Sequence, residues 1–281
     1  MPTLSIRAAL LACALLLPCS VMSQPVKDPV NLGVIAFHAE GVVRVNGVPM
    51  HYFKHVGPKV VELERRGGGD KIRIEDSSHR WSDTNYLFFC VNGDNKITVE
   101  AKITDAEGSV QMTLEKSPNG PNLFEQKLTT GGTISYTLAQ SGLPEWAWVK
   151  ADAVTDGKSE LLKAVAAYQQ AFAKKDIATI DAFKKPSTEV MRKAMAMSPQ
   201  AFQEEMKRLA DMVRESKLLP LPAVNALDVE GSLGGRVYAV TGKDHDAPVV
   251  LQFPPPFSEL TLEFGQYWTR IAGKWDFAGG L

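Results

Sequence analysis

Asp156-Gly-Lys-Ser-Glu-Leu-Leu-Lys-Ala-Val-Ala-Ala-Tyr-Gln-Gln-Ala-Phe172 is the stretch in which the hydrophobic period of this chain changes. Leu161, Val165, Tyr168 and Phe172 recur at i, i+4, i+7 and i+11, one face of an α-helix, with Ser159 as the expected N-cap. Upstream the period is two. Short alternating runs broken by Gly, Asn and Asp fill residues 39–155, the pattern of an all-β sandwich. The fold class expected is therefore an all-β sandwich followed by an α+β roll, with the second domain covering residues 159–281.

Within the first half, Val43-Arg-Val45 and Met50–Lys54 flank Asn46-Gly47, a pair that tolerates the positive φ of a tight hairpin. Lys59–Glu64 and Lys71–Glu75 flank three glycines, and Asn85–Val91 and Lys96–Ile103 flank Asn92-Gly-Asp94. Runs at Ser109–Glu115, Leu123–Leu128, Thr133–Leu138 and Glu145–Ala151 complete the expected strands. Residues 24–38 read as an extended lead-in. Asn92-Gly-Asp-Asn-Lys-Ile-Thr-Val-Glu-Ala101 with Asp105-Ala-Glu-Gly108 resembles a repeated pattern of bacterial immunoglobulin-like domains, without the paired cysteines and flanked tryptophan of antibody-type domains.

Downstream of the first helix, short helices are expected at Ile177–Phe183 and from Ser187 toward Met195. Ser198-Pro199 is an N-cap with proline at the first helical position. Phe202, Met206, Leu209 and Val213 then repeat the apolar stripe, opposite Glu204, Lys207, Arg208, Asp211 and Arg214. Strand patterns return at Ala223–Glu230, Arg236–Thr241, Val249–Phe253, Glu259–Ile271 and Lys274–Phe277. Helices followed by antiparallel strands make an α+β arrangement. Tyr168-Gln-Gln-Ala-Phe-Ala-Lys-Lys-Asp-Ile177 and the terminal Tyr267-Trp-Thr-Arg-Ile-Ala-Gly-Lys-Trp275 resemble the nuclear-transport-factor-like or cystatin-like roll. That resemblance implies a curved sheet around the first helix, often a conical pocket, and often dimerisation through the open sheet face. Its members include isomerases, dehydratases and pure binding modules, so fold alone leaves function open.

The first 23 residues read as a cleavable signal peptide: Arg7, an apolar run Ala8–Leu17, Pro18 and small residues to Ser23. A spanning helix needs about 20 apolar residues, so no membrane span is expected there. Cys19 offers lipid modification as the alternative processing, against which stand Leu16, Leu17 and Pro18 where that route favours small side chains. Cleavage near Ser23 would leave Cys90 alone of three cysteines and predicts a periplasmic or secreted protein. Within the apolar run Tyr86–Val91, Cys90 reads as a small buried hydrophobe. The whole chain carries 31 basic against 32 acidic residues, which implies neither nucleic acid nor an anionic membrane as partner.

Candidate chemistry is sparse. His51 and His55 would chelate on a helix, but on a strand four residues span roughly 13 Å. No metal and no cofactor are therefore expected. Ser78, His79 and Asp83 lie too close on one loop for a triad, and no nucleophile-elbow pattern occurs. In the roll, Asp228, Glu230 or Glu263 could be a pocket carboxylate with Tyr168 or Tyr238 as donor. The competing expectation puts these carboxylates on the solvent face, with Leu227 and Val229 turned to the core. Phe253-Pro-Pro-Pro-Phe257 is a stiff loop with an aromatic at each end. Phe253, Phe257, Trp268 and Tyr238 are the candidate binding residues. The leading functional expectation is an exported, non-catalytic binding or adaptor protein for a partner protein or small apolar ligand. A roll-type isomerase or hydrolase is the alternative. A glycan-binding module using Trp81, Trp146 or Trp148, or an inhibitor of a secreted toxin, comes after it.

Overall fold

Alternation of period two builds the first half into strands, and in Val30–Phe37 and most of Ser109–Lys116 every second side chain is buried. The computed structural model describes residues 30–56, 59–64, 71–76, 78–83, 85–116, 121–194, 197–255, 258 and 260–278. The signal-peptide stretch and Phe257 lie outside the described residues. The described chain is mostly strand with three α-helices, and its contacts group it into two compact units that divide between Gln140 and Ser141.

In the first unit, β1 (Val30–Phe37), β6 (His79–Asp83), β8 (Ser109–Lys116) and β9 (Asn122–Leu128) form one antiparallel sheet in the order β6-β1-β8-β9. β2 (Ala39–Val45), β3 (Val48–Lys54), β7 (Gly93–Ile103) and β10 (Gly132–Gln140) form a second in the order β10-β7-β2-β3. β4 (Lys59–Glu64) and β5 (Lys71–Asp76) pair as a hairpin. Leu32, Val34, Met112 and Leu114 of the first sheet, and Val43, Val45, Ile97, Val99 and Ile134 of the second, are fully buried. The expected turn is present: Asn46 and Gly47 sit at φ 50° and 83° between β2 and β3. Asn46 adds a second constraint, because its side-chain amide donates to the Asn95 carbonyl oxygen at 2.9 Å. Asn95, itself buried, accepts from the Val91 N–H at 2.7 Å and donates to the Val91 and Gly93 carbonyls, so it satisfies the loop before β7 from inside.

Four local expectations change. Residues 85–89 form a 3₁₀ turn, not a strand: Tyr86 turns its ring inward and its hydroxyl donates to the Val30 carbonyl at 3.0 Å, which a strand's alternation would not allow for Tyr86, Phe89 and Cys90 together. Part of the stretch expected as a lead-in is β1, the central partner of both β6 and β8. The stretch expected as one loop at Ser78–Asp83 is strand β6 from His79 onward. Glu145–Ala151 holds a 3₁₀ turn at Ala147–Lys150 that belongs to the second unit, with Trp146 and Trp148 buried.

The second unit opens with α1 (Lys158–Ala173), capped at Gly157, two residues earlier than Ser159 would place it. α2 (Ile177–Ala194) follows, then α3 (Pro199–Glu215), where the Ser198 side chain accepts from the Ala201 N–H as its sequence implies. The two short helices expected around residues 177–195 are one helix running through Pro186. A proline there removes one backbone hydrogen bond, but the buried face of Ile180, Ser187, Thr188 and Met191 holds the helix together. Asp176 fixes its start by accepting from the Thr179 N–H and hydroxyl, and those bonds hold its carboxyl below the usual range. β11 (Lys217–Leu218) pairs with β14 (Val249–Gln252), which pairs with β15 (Thr261–Phe264). β12 (Asp228–Ser232), β13 (Val237–Thr241), β16 (Tyr267–Ile271) and β17 (Lys274–Phe277) form a second antiparallel sheet in that order. The single run expected from Glu259 to Ile271 is thus two strands in two sheets, because Gly265 at φ 79° bends the chain between them. Val224–Ala226 is a 3₁₀ turn ahead of β12.

Candidate functional site

The face of α1 predicted to be apolar is the centre of the second unit. Leu161, Val165 and Tyr168 are fully buried and Phe172 is nearly so, all packed in one cluster with Val240, Leu251, Phe264, Trp268 and Phe277 from the strands. The Tyr168 ring meets Phe172, Phe183, Trp268 and Phe277 edge to face, at centroid distances of 4.9, 5.5, 5.7 and 4.7 Å. Around Tyr168, where a roll could carry a hollow cone, aromatic side chains fill the space.

The expected site residues are not brought together. Asp228 begins β12 exposed, Glu230 is half-buried two residues on, and Glu263 is exposed on β15 and accepts from the Gln266 amide at 3.1 Å. Trp268 and Tyr238, expected as binding aromatics, are core residues. Trp268 is wholly inaccessible and donates its indole N–H to the Gly265 carbonyl at 2.6 Å, while the Tyr238 hydroxyl donates to the Val154 carbonyl. Phe253 is half-buried against the same core. Trp81, Trp146 and Trp148 are all buried, so none of them offers a flat stacking face for a sugar. His51 and His55 diverge: His51 meets His79 nitrogen to nitrogen at 2.8 Å with Trp81 stacked on it, and His55 Nδ1 accepts from the His38 N–H at 3.0 Å. Arg80 donates to Ser78 at 3.2 Å. Among the described residues no three His, Cys, Asp or Glu side chains gather as a metal site would require. Burial pushes the Cys90 thiol up to about 12, which leaves it a thiol at neutral pH and unreactive.

What the sequence reading missed lies on α2. Lys184 is 1% exposed, its Nζ has no hydrogen-bond partner, and it lies 4.7 Å from the centre of the Phe264 ring. Tyr168 supplies a second donor in the same core, a hydroxyl equally buried and equally without a partner. Burial pulls the Lys184 ammonium down to about 8, against the opposing pull of Asp181 one turn earlier. Asp181 is half-buried, and burial raises its carboxyl while Lys184 lowers it. Burial raises the Tyr168 phenol well above its ordinary range, and the Asp181 charge adds to that. The signal was readable: Ile177, Ile180, Lys184, Ser187 and Met191 fall at spacings of three and four, which puts a lysine on the buried stripe.

Chemically the interior presents two donors, one of them cationic, and aromatic walls. Shallow depressions occur on both units. One of about 430 Å³ on the first unit lies over Gly41, Ala101 and Gly132 with Glu40, Glu100 and Lys102 at its rim. The other, about 520 Å³, runs along the outer side of α1 by Leu162, Ala166 and Val224. The chain matches no family model, no curated protein and no solved structure.

Proposed function

We propose that this is an exported, non-catalytic binding protein, an immunoglobulin-like sandwich followed by a cystatin-like roll, cleaved near Ser23 and working in the periplasm or outside the cell. One observation carries the reading. The interior of the roll holds donors and aromatic rings, while the carboxylates that a roll enzyme would need there, Asp228 and Glu263, stand at its exposed outside. A proton-abstracting site needs a base within hydrogen-bond reach of its substrate, and these two carboxylates do not face a shared cavity.

The test is genetic. A strain lacking the gene is profiled across envelope stresses, then complemented with the wild-type chain and with a triple variant, Asp228→Ala, Glu230→Ala, Glu263→Ala. The binding reading predicts that the triple variant, exported and folded, restores growth as the wild type does. A folded triple variant that fails to complement would establish the enzyme alternative in its place.

A further inference from the structure

Histidines are scarce in this chain and unevenly placed. Four of the five, His38, His51, His55 and His79, fall in the first unit: at the β1–β2 corner, on and just after β3, and at the start of β6. They make two ring contacts, and only one of these sets nitrogen against nitrogen. His38 and His55 meet with ring planes at 79°, and His55 Nδ1 already accepts from the His38 backbone N–H. His51 and His79 meet by their edges: the Nε2 atoms are 2.8 Å apart, the ring centres 5.1 Å apart, and the planes differ by 18°.

The backbone aims both rings at one point. Along β2 and β3 the register passes from Val43 opposite His51 to Arg44 opposite Pro49, which leaves Met50 as the extra residue of a β-bulge. Such a one-residue slip turns the side chains that follow to the other face, and it brings His51 and Phe53 against His79 and Trp81 of β6. Buried Trp81 stacks flat on His51, with centres 4.9 Å apart and planes at 3°, and Phe53 lies on His79 at 6.3 Å and 26°. β3 and β6 are edge strands of their two sheets, and both imidazoles are half-buried, at the rim and not in the core.

We propose that His51 and His79 form a two-imidazole site for a divalent late transition-metal ion, copper(II) ahead of nickel(II) and zinc(II), with water completing the coordination. Neutral imidazole is the commonest protein ligand for such ions. A metal–imidazole bond is about 2.0–2.1 Å long, so two nitrogens on one ion stand roughly 2.9 Å apart at a right angle and roughly 3.3 Å apart at the tetrahedral angle. The 2.8 Å contact matches the right angle, which tetragonal copper(II) and nickel(II) prefer, and the general order of affinities puts copper(II) first. The ion sits beside the line joining the two nitrogens, and a tilt of each ring turns its lone pair toward it. In the direct contact one ring donates from Nε2 and the other accepts. On the ion both lone pairs are used, so the donating ring carries its proton on Nδ1 instead and no net proton is released. Among the described residues no third His, Cys, Asp or Glu joins the pair, so this is an open, exchangeable site and not a closed metal centre.

The site goes beyond the binding role proposed above and does not depend on it. The purified protein, prepared without a polyhistidine tag, is titrated calorimetrically at neutral pH with the chlorides of copper(II), nickel(II) and zinc(II). One equivalent of copper(II) is expected to bind, roughly ten-fold or more tighter than zinc(II), and the electron paramagnetic resonance spectrum is expected to show coupling to two imidazole nitrogens. His51→Gln and His79→Gln are each expected to weaken copper(II) roughly ten-fold or more and to remove one nitrogen from the spectrum, while His245→Gln in the second unit changes neither. The wild-type spectrum decides the matter even if a variant fails to fold. No saturable copper(II) binding, a spectrum without two imidazole nitrogens, tighter binding of zinc(II), full retention by either folded His51 or His79 variant, or loss on His245→Gln would overturn the site.

Discussion

Lys184→Met is expected to make the protein more stable at pH 7, by on the order of 3 kcal/mol. The Lys184 ammonium is drawn from 10.5 down to about 8 by loss of water, only partly offset by Asp181. Each pKa unit is worth about 1.4 kcal/mol. Methionine of similar length keeps the packing against Phe264 and removes the buried charge. The pH dependence follows from proton counting. Between about 8 and 10.5 the unfolded chain holds a proton on Lys184 that the folded chain has released, so wild-type stability rises with pH across that window. Below about 8 the cost of the buried ammonium is present in full and constant. The gap between Lys184→Met and wild type should therefore be widest at pH 7 and narrow on going to pH 10. Urea denaturation of both proteins at the two pH values checks this; a variant less stable than wild type at pH 7 would remove the premise.

Trp268→Ala is expected to cost about 4 kcal/mol. Its side chain is wholly buried and touches Tyr168, Phe183 and Phe277 at centroid distances of 5.7, 5.7 and 4.8 Å. It sits where β13 and β16 pair, opposite Tyr238, and its N–H satisfies the Gly265 carbonyl at the bend between β15 and β16. Removal therefore opens a cavity beneath α1 and leaves a buried acceptor unmet. Phe253→Ala, at a half-buried loop position, is the comparison and should cost far less. Calorimetric unfolding of the two variants separates them, and a Trp268→Ala loss under about 1 kcal/mol would show that the core is not organised around this ring.

The segments legible in the sequence are those where local chemistry and burial agree. Leu161, Val165, Tyr168 and Phe172 give a helical stripe that tertiary packing then uses whole, and Asn46-Gly47 and Ser198-Pro199 specify their own turn and cap. The misread segments are those where packing overrides propensity. Tyr86–Val91 has the residues of a strand, but the Tyr86–Val30 hydrogen bond and the need to bury Tyr86, Phe89 and Cys90 together curl it into a 3₁₀ turn. Pro186 reads as a break, yet the contacts of α2 with β17 carry the helix through it. Trp268 and Tyr238 read as candidate binding aromatics because a sheet pattern does not say which face is covered. Trp268 is covered by Tyr168 and Phe183 from helices that the chain supplies about 85 to 100 residues earlier, and Tyr238 by Trp275 of β17. Lys184 was hidden for the opposite reason: a lysine on an apolar stripe is normally discounted as a surface residue, and only the covering strand shows that its ammonium has no water.

The central claim is that a lysine whose ammonium has no hydrogen-bond partner among the described residues is sealed inside the second unit, and its titration reports that directly. The Lys184 ammonium can be followed by NMR in selectively labelled protein, assigned by its disappearance in Lys184→Met. A midpoint near 8 is expected for the free protein. A midpoint at the ordinary lysine value of about 10.4 would mean that the side chain reaches water, and would contradict the stability prediction.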